Sequence, residues 1–176
     1  AQRSIRRLLL QAIFLSFKTH NVFDNKEDTM RVEPKKIMCA VDFSDFTENV
    51  LAYSVGMCKE FDAKLYLAHV VVDVSTLLIR SEVALDVGGL QMSHIESARE
   101  HLETIGKELS VEHDILITQG DPSENLRRLA LENDIDLIIS ATHGKSGVRR
   151  LLIGSVTAKL LKLAHCPVLA LHTTEH

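Results

Sequence analysis

Short apolar runs alternate along the chain with longer segments in which apolar residues recur every three or four positions. The run 65–72 shows no regular alternation of apolar and polar residues, which is typical of a strand buried on both faces of a parallel sheet. The longer segments have the spacing of amphipathic helices that pack one face on a core. The five predicted strands span 36–41, 65–72, 114–118, 136–141 and 167–171.

Polar residues predict where the helices between these strands begin. Ser44 has the side chain of a helix N-cap, and Asp121, followed by proline, has that of a second. An apolar stripe along 95–109 predicts a long helix, and residues 155–164 predict the last one. Residues 73–92 contain two adjacent glycines, so we expect a long and partly mobile excursion there.

Five strands that alternate with helices predict an α/β fold, a Rossmann-like, open, doubly wound sheet of five parallel strands. Such folds bind ligands beyond the carboxyl ends of the strands, where the strand order reverses. The first and fourth strands are expected to meet at that point. The sequence therefore predicts a ligand site between Asp42 and the segment that follows Ala141.

Composition and charge limit the classes of function. A chain of 176 residues that is 45% hydrophobic has room for one domain with its own core and a short appendage. A formal net charge of −4, 5% aromatic residues and no Trp argue against a nucleic-acid partner. Cys39, Cys58 and Cys166 are spaced neither as a disulfide framework nor as a zinc site, so a cytoplasmic location is expected.

Residues 1–20 differ in character from the rest of the chain. They contain three arginines, one lysine, no acidic residue and an apolar stretch, which predicts a basic amphipathic helix. Three roles stay open for it: a targeting segment, a helix that docks on a membrane surface or a protein partner, and a helix that packs on its own domain. With the polar linker that follows, the predicted division is 1–35 and 36–176.

The segment after the fourth strand has the features of an anion site. Gly144 follows the strand end, and Gly154 and Ser155 open the last helix, whose first backbone N–H groups and dipole attract anions. One lysine and two arginines between these glycines add positive charge. These features predict phosphate binding. The alternative is a connecting loop bracketed by glycines, in which Ser155 caps its helix.

Several motifs in this order resemble the universal stress protein family across residues 35–173. ATP-binding members of that family carry Gly-x-x-Gly, nine residues, and then Gly-Ser or Gly-Thr. In this chain Ala141-Thr142-His143-Gly144 is followed by nine residues and Gly154-Ser155. The segments that also resemble the family are 41–44, 68–70, 120–122 and 165–168.

The resemblance implies an ATP site, with ADP or AMP as alternative ligands. It also implies that any Mg²⁺ or Mn²⁺ is held mainly by the phosphates, without a set of metal ligands from the protein. The implied contacts are Ala40, Val41, Asp42 and Val70 for adenine, Ser140 and Ala141 for ribose, and Gly144, Gly154, Ser155 and Val156 for the phosphates.

Ala141 departs from the family pattern, which has glycine at this position. If the position requires a positive φ, alanine costs about 1 kcal/mol. If it requires only a close approach of the ligand, one methyl group is tolerated. We expect weaker binding than a glycine would give, but not its loss.

The resemblance further implies a homodimer in which the final strand, 167–171, pairs across a two-fold axis. The alternative is that the chain's own N-terminal helix covers this edge. The predicted function is an ATP-binding sensor or regulator without catalytic residues and with at most weak ATP hydrolysis. Two other functions stay open, a nucleotide-free dimeric interaction protein and a slow ATPase.

Overall fold

The computed structural model describes residues 33–73, 87–142 and 153–172. The predicted N-terminal helix and Gly144 lie outside these residues. Strands and helices alternate along the described chain, as predicted. The elements are β1 (Lys36–Ala40), α1 (Thr47–Phe61), β2 (Lys64–Val71), α2 (Val87–Glu108), β3 (His113–Gln119), α3 (Pro122–Glu132), β4 (Leu137–Ala141), α4 (Ser155–Leu163) and β5 (Val168–Leu171).

All five strands lie in one parallel sheet in the order β3-β2-β1-β4-β5. The chain first builds outward from β1 to β3 and then returns to the other side of β1 for β4 and β5. The strand order therefore reverses between β1 and β4, which pair through Ile37–Leu137, Met38–Ile138 and Cys39–Ile139. This topology confirms the predicted fold class and places the reversal where the sequence predicts it.

Both faces of the sheet are buried, which explains the apolar runs of the strands. Ile37 and Cys39 of β1 belong to a core cluster that α1 and α2 cover, whereas Met38 belongs to a second cluster under α3 and α4. All three side chains have no exposed surface. Burial of a side chain of this size contributes about 1.5–3 kcal/mol, so the two clusters hold the strand ends in place.

One carboxylate fixes the register of β4 against β1. Oδ2 of Asp136 accepts hydrogen bonds from the backbone N–H groups of Lys35 and Lys36, both at 2.8 Å. The N–H of Asp136 donates in return to the carbonyl of Lys36 at 2.9 Å. Because register is set at this end, the opposite, carboxyl ends of the two strands finish side by side.

The first helix begins later than predicted. Phe46, not Ser44, is the N-cap residue of α1, and it makes no side-chain cap hydrogen bond. The hydroxyl of Ser44 donates instead to Oδ1 of Asp42 at 2.6 Å. The predicted Ser44 cap is therefore wrong: Ser44 lies in a turn before the helix, in which its carbonyl accepts from the N–H of Thr47 and its hydroxyl is bound to Asp42.

The second helix begins earlier than predicted. α2 starts at Val87, inside the predicted excursion, and includes both glycines that follow. Its inner face buries Ala98 and Leu102, which are 4% and 0% exposed. Each glycine costs about 1 kcal/mol relative to alanine in a helix, and the packing of this face outweighs that cost. In the part of the chain that the structure describes, no helix is both long and apolar enough to cross a membrane.

Candidate functional site

A cleft with a volume of about 770 Å³ opens at the carboxyl edge of the sheet, over the ends of β1, β2 and β4. The ends of these strands form its floor, and residues of α2, α3 and α4 form its walls. Its volume is in the range of small-molecule sites. The described lining residues are Ala40–Phe43, Ala68–Val72, His94, Ser97, Ala98, His101, Pro122, Leu126, Ser140–Thr142 and Gly154–Thr157.

Nine of the ten predicted site residues line this one cleft, and the tenth, Gly144, lies outside the described residues. They come from the ends of three strands and the start of one helix. Residues far apart in sequence therefore meet because parallel strands present their carboxyl ends at one edge. Their contacts with a ligand stay predictions.

Asp42 sits where β1 leaves the sheet, and its carboxylate closes a tight local turn. Oδ1 accepts hydrogen bonds from the backbone N–H of Ser44 at 3.0 Å, the Ser44 hydroxyl at 2.6 Å and the Thr47 hydroxyl at 3.4 Å. These bonds fix the side chain at the cleft wall, so Asp42 presents a held acceptor group there.

Three aromatic rings that were not predicted as site residues stand near Asp42. Phe43 packs on the imidazole of His69, with ring centroids 4.4 Å apart, and meets the edge of His101 at 5.4 Å. Nδ1 of His69 lies 2.7 Å from the carbonyl of Val41. Because a carbonyl only accepts, this nitrogen carries the proton. The rings join the ends of β1 and β2 to α2.

The start of α4 forms the opposite wall. Its first helical hydrogen bond runs from the N–H of Ala158 to the carbonyl of Gly154 at 2.9 Å. The backbone N–H groups of Ser155 and Val156 lie before this bond, in the first turn, where N–H groups of an α-helix have no acceptor within the helix. Two cleft-lining residues thus carry donors that an anionic ligand accepts readily.

Gly154 lies at a close backbone contact, where a side chain would be crowded. Its N–H donates to the carbonyl of Thr142 at 2.6 Å, and a Cβ at this position would lie 3.0 Å from the same oxygen. Its φ of −55° is accessible to every residue, so the constraint is space and not conformation. The glycine lets the start of α4 lie directly against the end of β4.

The departure at Ala141 carries no backbone strain. Ala141 is the last residue of β4 and pairs with Leu171 of β5. Among the described residues, a positive φ outside glycine occurs only at Phe43, Asp62 and Asp134. Position 141 therefore does not require a left-handed residue: Ala141 packs against the core cluster that α1 and α2 cover, and it is also one of the residues that line the cleft.

Buried hydroxyl groups join β4 to α4 at this wall. Thr157, which sequence reasoning missed, donates from Oγ1 to the carbonyl of Ala141 at 2.6 Å and lies 2.9 Å from Oγ of Ser140. Thr157 is 3% exposed and Ser140 6%. The sequence offered one signal for this contact: Ser140 lies near the end of the predicted fourth strand, and Thr157 lies in the first turn of the helix that follows it.

The charge of the described cleft comes from few groups. Of the lining residues that the structure describes, Asp42 is the one carboxylate, three are histidines, and none is lysine or arginine. The predicted cations Lys145, Arg149 and Arg150 lie outside the described residues. Within the described ranges, no group of three His, Cys, Asp or Glu residues is placed to hold a metal ion.

The three cysteines are held as neutral thiols away from the cleft. Burial raises the pKa of Cys39 to about 12 and that of Cys58 to about 11. Burial also raises the pKa of Cys166, at the amino end of β5, to about 11. A thiol with such a pKa is a poor nucleophile at neutral pH.

The fold is that of a doubly wound α/β protein, and its cleft, of the size of small-molecule sites, lies at the reversal of the strand order. The sequence model described as "Universal stress protein family" matches residues 33–172, which is most of the chain. The chain belongs to the universal stress protein family.

Individual relatives agree with this assignment. Universal stress protein MJ0531 of Methanocaldococcus jannaschii is 32% identical over 137 residues, which cover 77% of this chain and 80% of that protein. Universal stress protein MJ0577 of the same organism is 31% identical over 157 residues, which cover 80% and 96% of the two chains.

Solved structures show the same fold. A structure described as hypothetical protein MJ0577 matches with a TM-score of 0.70 and 27% identity, over 81% of this chain and 98% of that one. A universal stress protein crystallised in complex with cAMP matches with a TM-score of 0.54 and 19% identity, over 81% and 99%.

Proposed function

We propose that this protein binds ATP in the cleft and acts as a sensor or regulator in the cytoplasm. The observation that carries the proposal is the juxtaposition of two walls across one cleft. Asp42 and Val70 stand on one side, and the start of α4, with the N–H groups of its first turn, stands on the other. This arrangement suits a ligand with a base at one end and phosphates at the other.

The residues present fit such a ligand chemically. An adenine edge offers donors and acceptors, and Asp42 provides a fixed acceptor beside the apolar side chains of Val41 and Val70. Phosphate oxygens accept from backbone N–H groups, which Ser155 and Val156 provide. Ser140 and Ala141 lie between the two walls, where a ribose would pass. Mg²⁺ or Mn²⁺ would be held mainly by the phosphates.

A relative of the same fold supports an adenine nucleotide as the class of ligand. That relative is the universal stress protein crystallised in complex with cAMP, which is an adenine nucleotide. ADP, AMP and cyclic nucleotides are therefore the competitors against which ATP should be tested. The proposal is for a binding protein, so we expect phosphate release from ATP to stay at the rate of the buffer control.

We also propose that the protein acts as a homodimer through β5. β5 lies at the edge of the sheet and pairs with β4 on one side. Apolar edge strands associate readily with a second strand. Nucleotide binding beside α4 would then alter the surface that a dimer offers to a partner, with residues 1–20 as a second place of attachment to a protein or membrane surface.

The first test is nucleotide content followed by calorimetry. The full chain is purified without added nucleotide and denatured, and the released compounds are identified by anion-exchange chromatography with mass detection. ATP is then titrated into the parent, Gly154→Ala and Gly56→Ala. A Cβ at Gly56 meets no atom within 4 Å, so Gly56→Ala is a matched control for the crowded Gly154→Ala.

We expect bound adenine nucleotide, or micromolar ATP binding, in the parent. Gly154→Ala should weaken ATP binding at least about tenfold, because its methyl group displaces the start of α4 from the end of β4. Gly56→Ala should bind as the parent does. A parent with neither nucleotide nor heat of binding would contradict the proposed function.

A further inference from the structure

The start of α4 is held against β4 at two separate points. One is the backbone bond from the N–H of Gly154 to the carbonyl of Thr142 at 2.6 Å. The other is the side-chain bond from Oγ1 of Thr157 to the carbonyl of Ala141, also at 2.6 Å. The two acceptors are consecutive carbonyls at the end of one strand.

The hydrogen bonds of the two buried hydroxyls, those of Ser140 and Thr157, each have a definite donor and acceptor. The Thr157 hydroxyl has one proton, and that proton lies on its short bond to the Ala141 carbonyl, which only accepts. The 2.9 Å contact between the two hydroxyls therefore uses the Ser140 proton. A longer contact from Ser140 to the Ala141 carbonyl, at 3.3 Å, is the weaker alternative for that proton. The Thr157 hydroxyl thus accepts a hydrogen bond from Ser140 and donates one to the carbonyl of Ala141.

A helix turn that is held at one point can rotate about that point, whereas a second attachment restricts the rotation. Leu160 packs in the second core cluster and holds α4 on the sheet, and the Gly154 bond ties the start of the helix to the end of β4. The Thr157 bond adds a second tie on the turn that carries Ser155 and Val156, and it limits how that turn can rotate. A site performs best when the groups that meet the ligand are fixed by partners behind them.

We infer that Thr157 is a positioning residue, whose hydroxyl aims the first-turn N–H groups of α4 at the anionic part of the ligand. It thereby sets the preference of the cleft for phosphorylated over unphosphorylated adenosine compounds. The inference rests on the proposed function, because it concerns the phosphate end of the same site.

The test compares affinities for ATP and adenosine in the full chain. Thr157→Val keeps the shape of the side chain and removes its hydroxyl, and Thr157→Ser restores the hydroxyl. Ser140→Ala removes the second hydroxyl but keeps the bond from Thr157 to Ala141. Ser54→Ala is the matched control: Ser54 is fully buried in α1, and its hydroxyl donates to the carbonyl of Val50 at 2.7 Å, away from the cleft.

Thr157→Val should weaken ATP binding about tenfold and leave adenosine within about twofold of the parent. Thr157→Ser should return the ratio of the two affinities to the parent value, and Ser140→Ala should lower it about threefold. Ser54→Ala should lower the melting temperature without changing the ratio, which separates positioning from general destabilisation.

A folded Thr157→Val protein with the parent ratio would overturn the inference, and so would a Thr157→Ser protein with the ratio of the valine variant. If Thr157→Val does not fold, Ser140→Ala decides, and an unchanged ratio in that variant overturns the inference. A parent that binds no ATP contradicts the proposed function itself, and the inference falls with it. A parent that binds ATP while every variant keeps its ratio contradicts the inference alone.

Discussion

Phe43 adopts a left-handed backbone conformation, with a φ of 54°, directly after Asp42. A bulky residue in this conformation costs about 1 kcal/mol or more, and such costs concentrate at functional sites. The turn lets the Asp42 carboxylate reach forward to Ser44 and brings the Phe43 ring against His69 and His101. No sequence pattern signals a left-handed phenylalanine. The sequence therefore placed Asp42 at the end of the first strand, where it lines the cleft, but did not predict the ring cluster of Phe43, His69 and His101.

At the same scale, Asp121 gives α3 a cap that depends on pH. Its Oδ1 accepts hydrogen bonds from the Ser123 hydroxyl and, at 2.9 Å, from the N–H of Glu124. These bonds lower the pKa of Asp121, the Ser123 bond most. A carboxyl with a lowered folded-state pKa stabilises the protein above its unfolded pKa, and that stability is lost as pH falls through the folded value.

We therefore expect Asp121→Ala to lower the free energy of unfolding by about 1 kcal/mol at pH 7, as loss of a helix cap does. The difference from the parent should begin to shrink below about pH 4, where the unfolded chain takes up its proton, and should vanish as pH falls further through the lowered pKa of the folded carboxyl. Asp121→Asn keeps a capping acceptor without the charge and is the control. Urea unfolding of the three proteins between pH 7 and pH 3 measures this. A difference that is independent of pH would contradict it.

At the scale of elements, the sequence predicted the strands closely and the helix starts less well. Strands β1 to β5 follow the predicted runs to within a few residues, because burial on both sides of the sheet forces a continuous apolar run. Helix starts depend on the turn that precedes them, as at Ser44, and on tertiary packing, as in α2. The contact between Thr157 and Ala141 joins two elements and could not be read from either alone.

Two helical glycines should respond in opposite directions to the same substitution. A Cβ on Gly106 of α2 would overlap the imidazole of His113 on β3, whereas a Cβ on Gly56 of α1 meets open space. Gly56→Ala should raise the free energy of unfolding by about 0.5–1 kcal/mol, from helix propensity and the stiffer unfolded chain. Gly106→Ala should lower it by about 1–3 kcal/mol through overpacking.

Chemical denaturation of both variants measures the two changes. His113→Ala in the Gly106→Ala background should recover part of the loss, because it removes the group that the new methyl meets. Equal effects of the two alanines would show that α2 does not approach β3 as closely as the structure has it.

At the scale of the whole molecule, β5 provides a test of the proposed homodimer. The carbonyls of Pro167 and Leu171 accept hydrogen bonds from the N–H groups of Ile138 and Thr142. The odd-numbered residues of this strand therefore direct their backbone N–H and C=O groups toward β4. By strand alternation, Ala170 directs its N–H to the open edge. The same backbone geometry permits a proline there without loss of a bond to β4.

We expect the parent to be a dimer by light scattering after size-exclusion chromatography, Ala170→Pro to be a monomer with its fold intact, and Ala170→Ser to stay a dimer. The proline removes the outward N–H that a partner strand would accept from. A monomeric parent, or a dimeric proline variant, would contradict pairing through β5.

The bond between Thr142 and Gly154 has a practical consequence for engineering. A backbone hydrogen bond of 2.6 Å joins the two sides of the segment between them, so the ends of any insertion there are already held together. Closing a longer loop costs only about 0.6 kcal/mol for each doubling of its length. A fluorescent reporter with adjacent termini, inserted there, would sit at the phosphate wall of the cleft. Its fluorescence would then report whether a ligand occupies that wall.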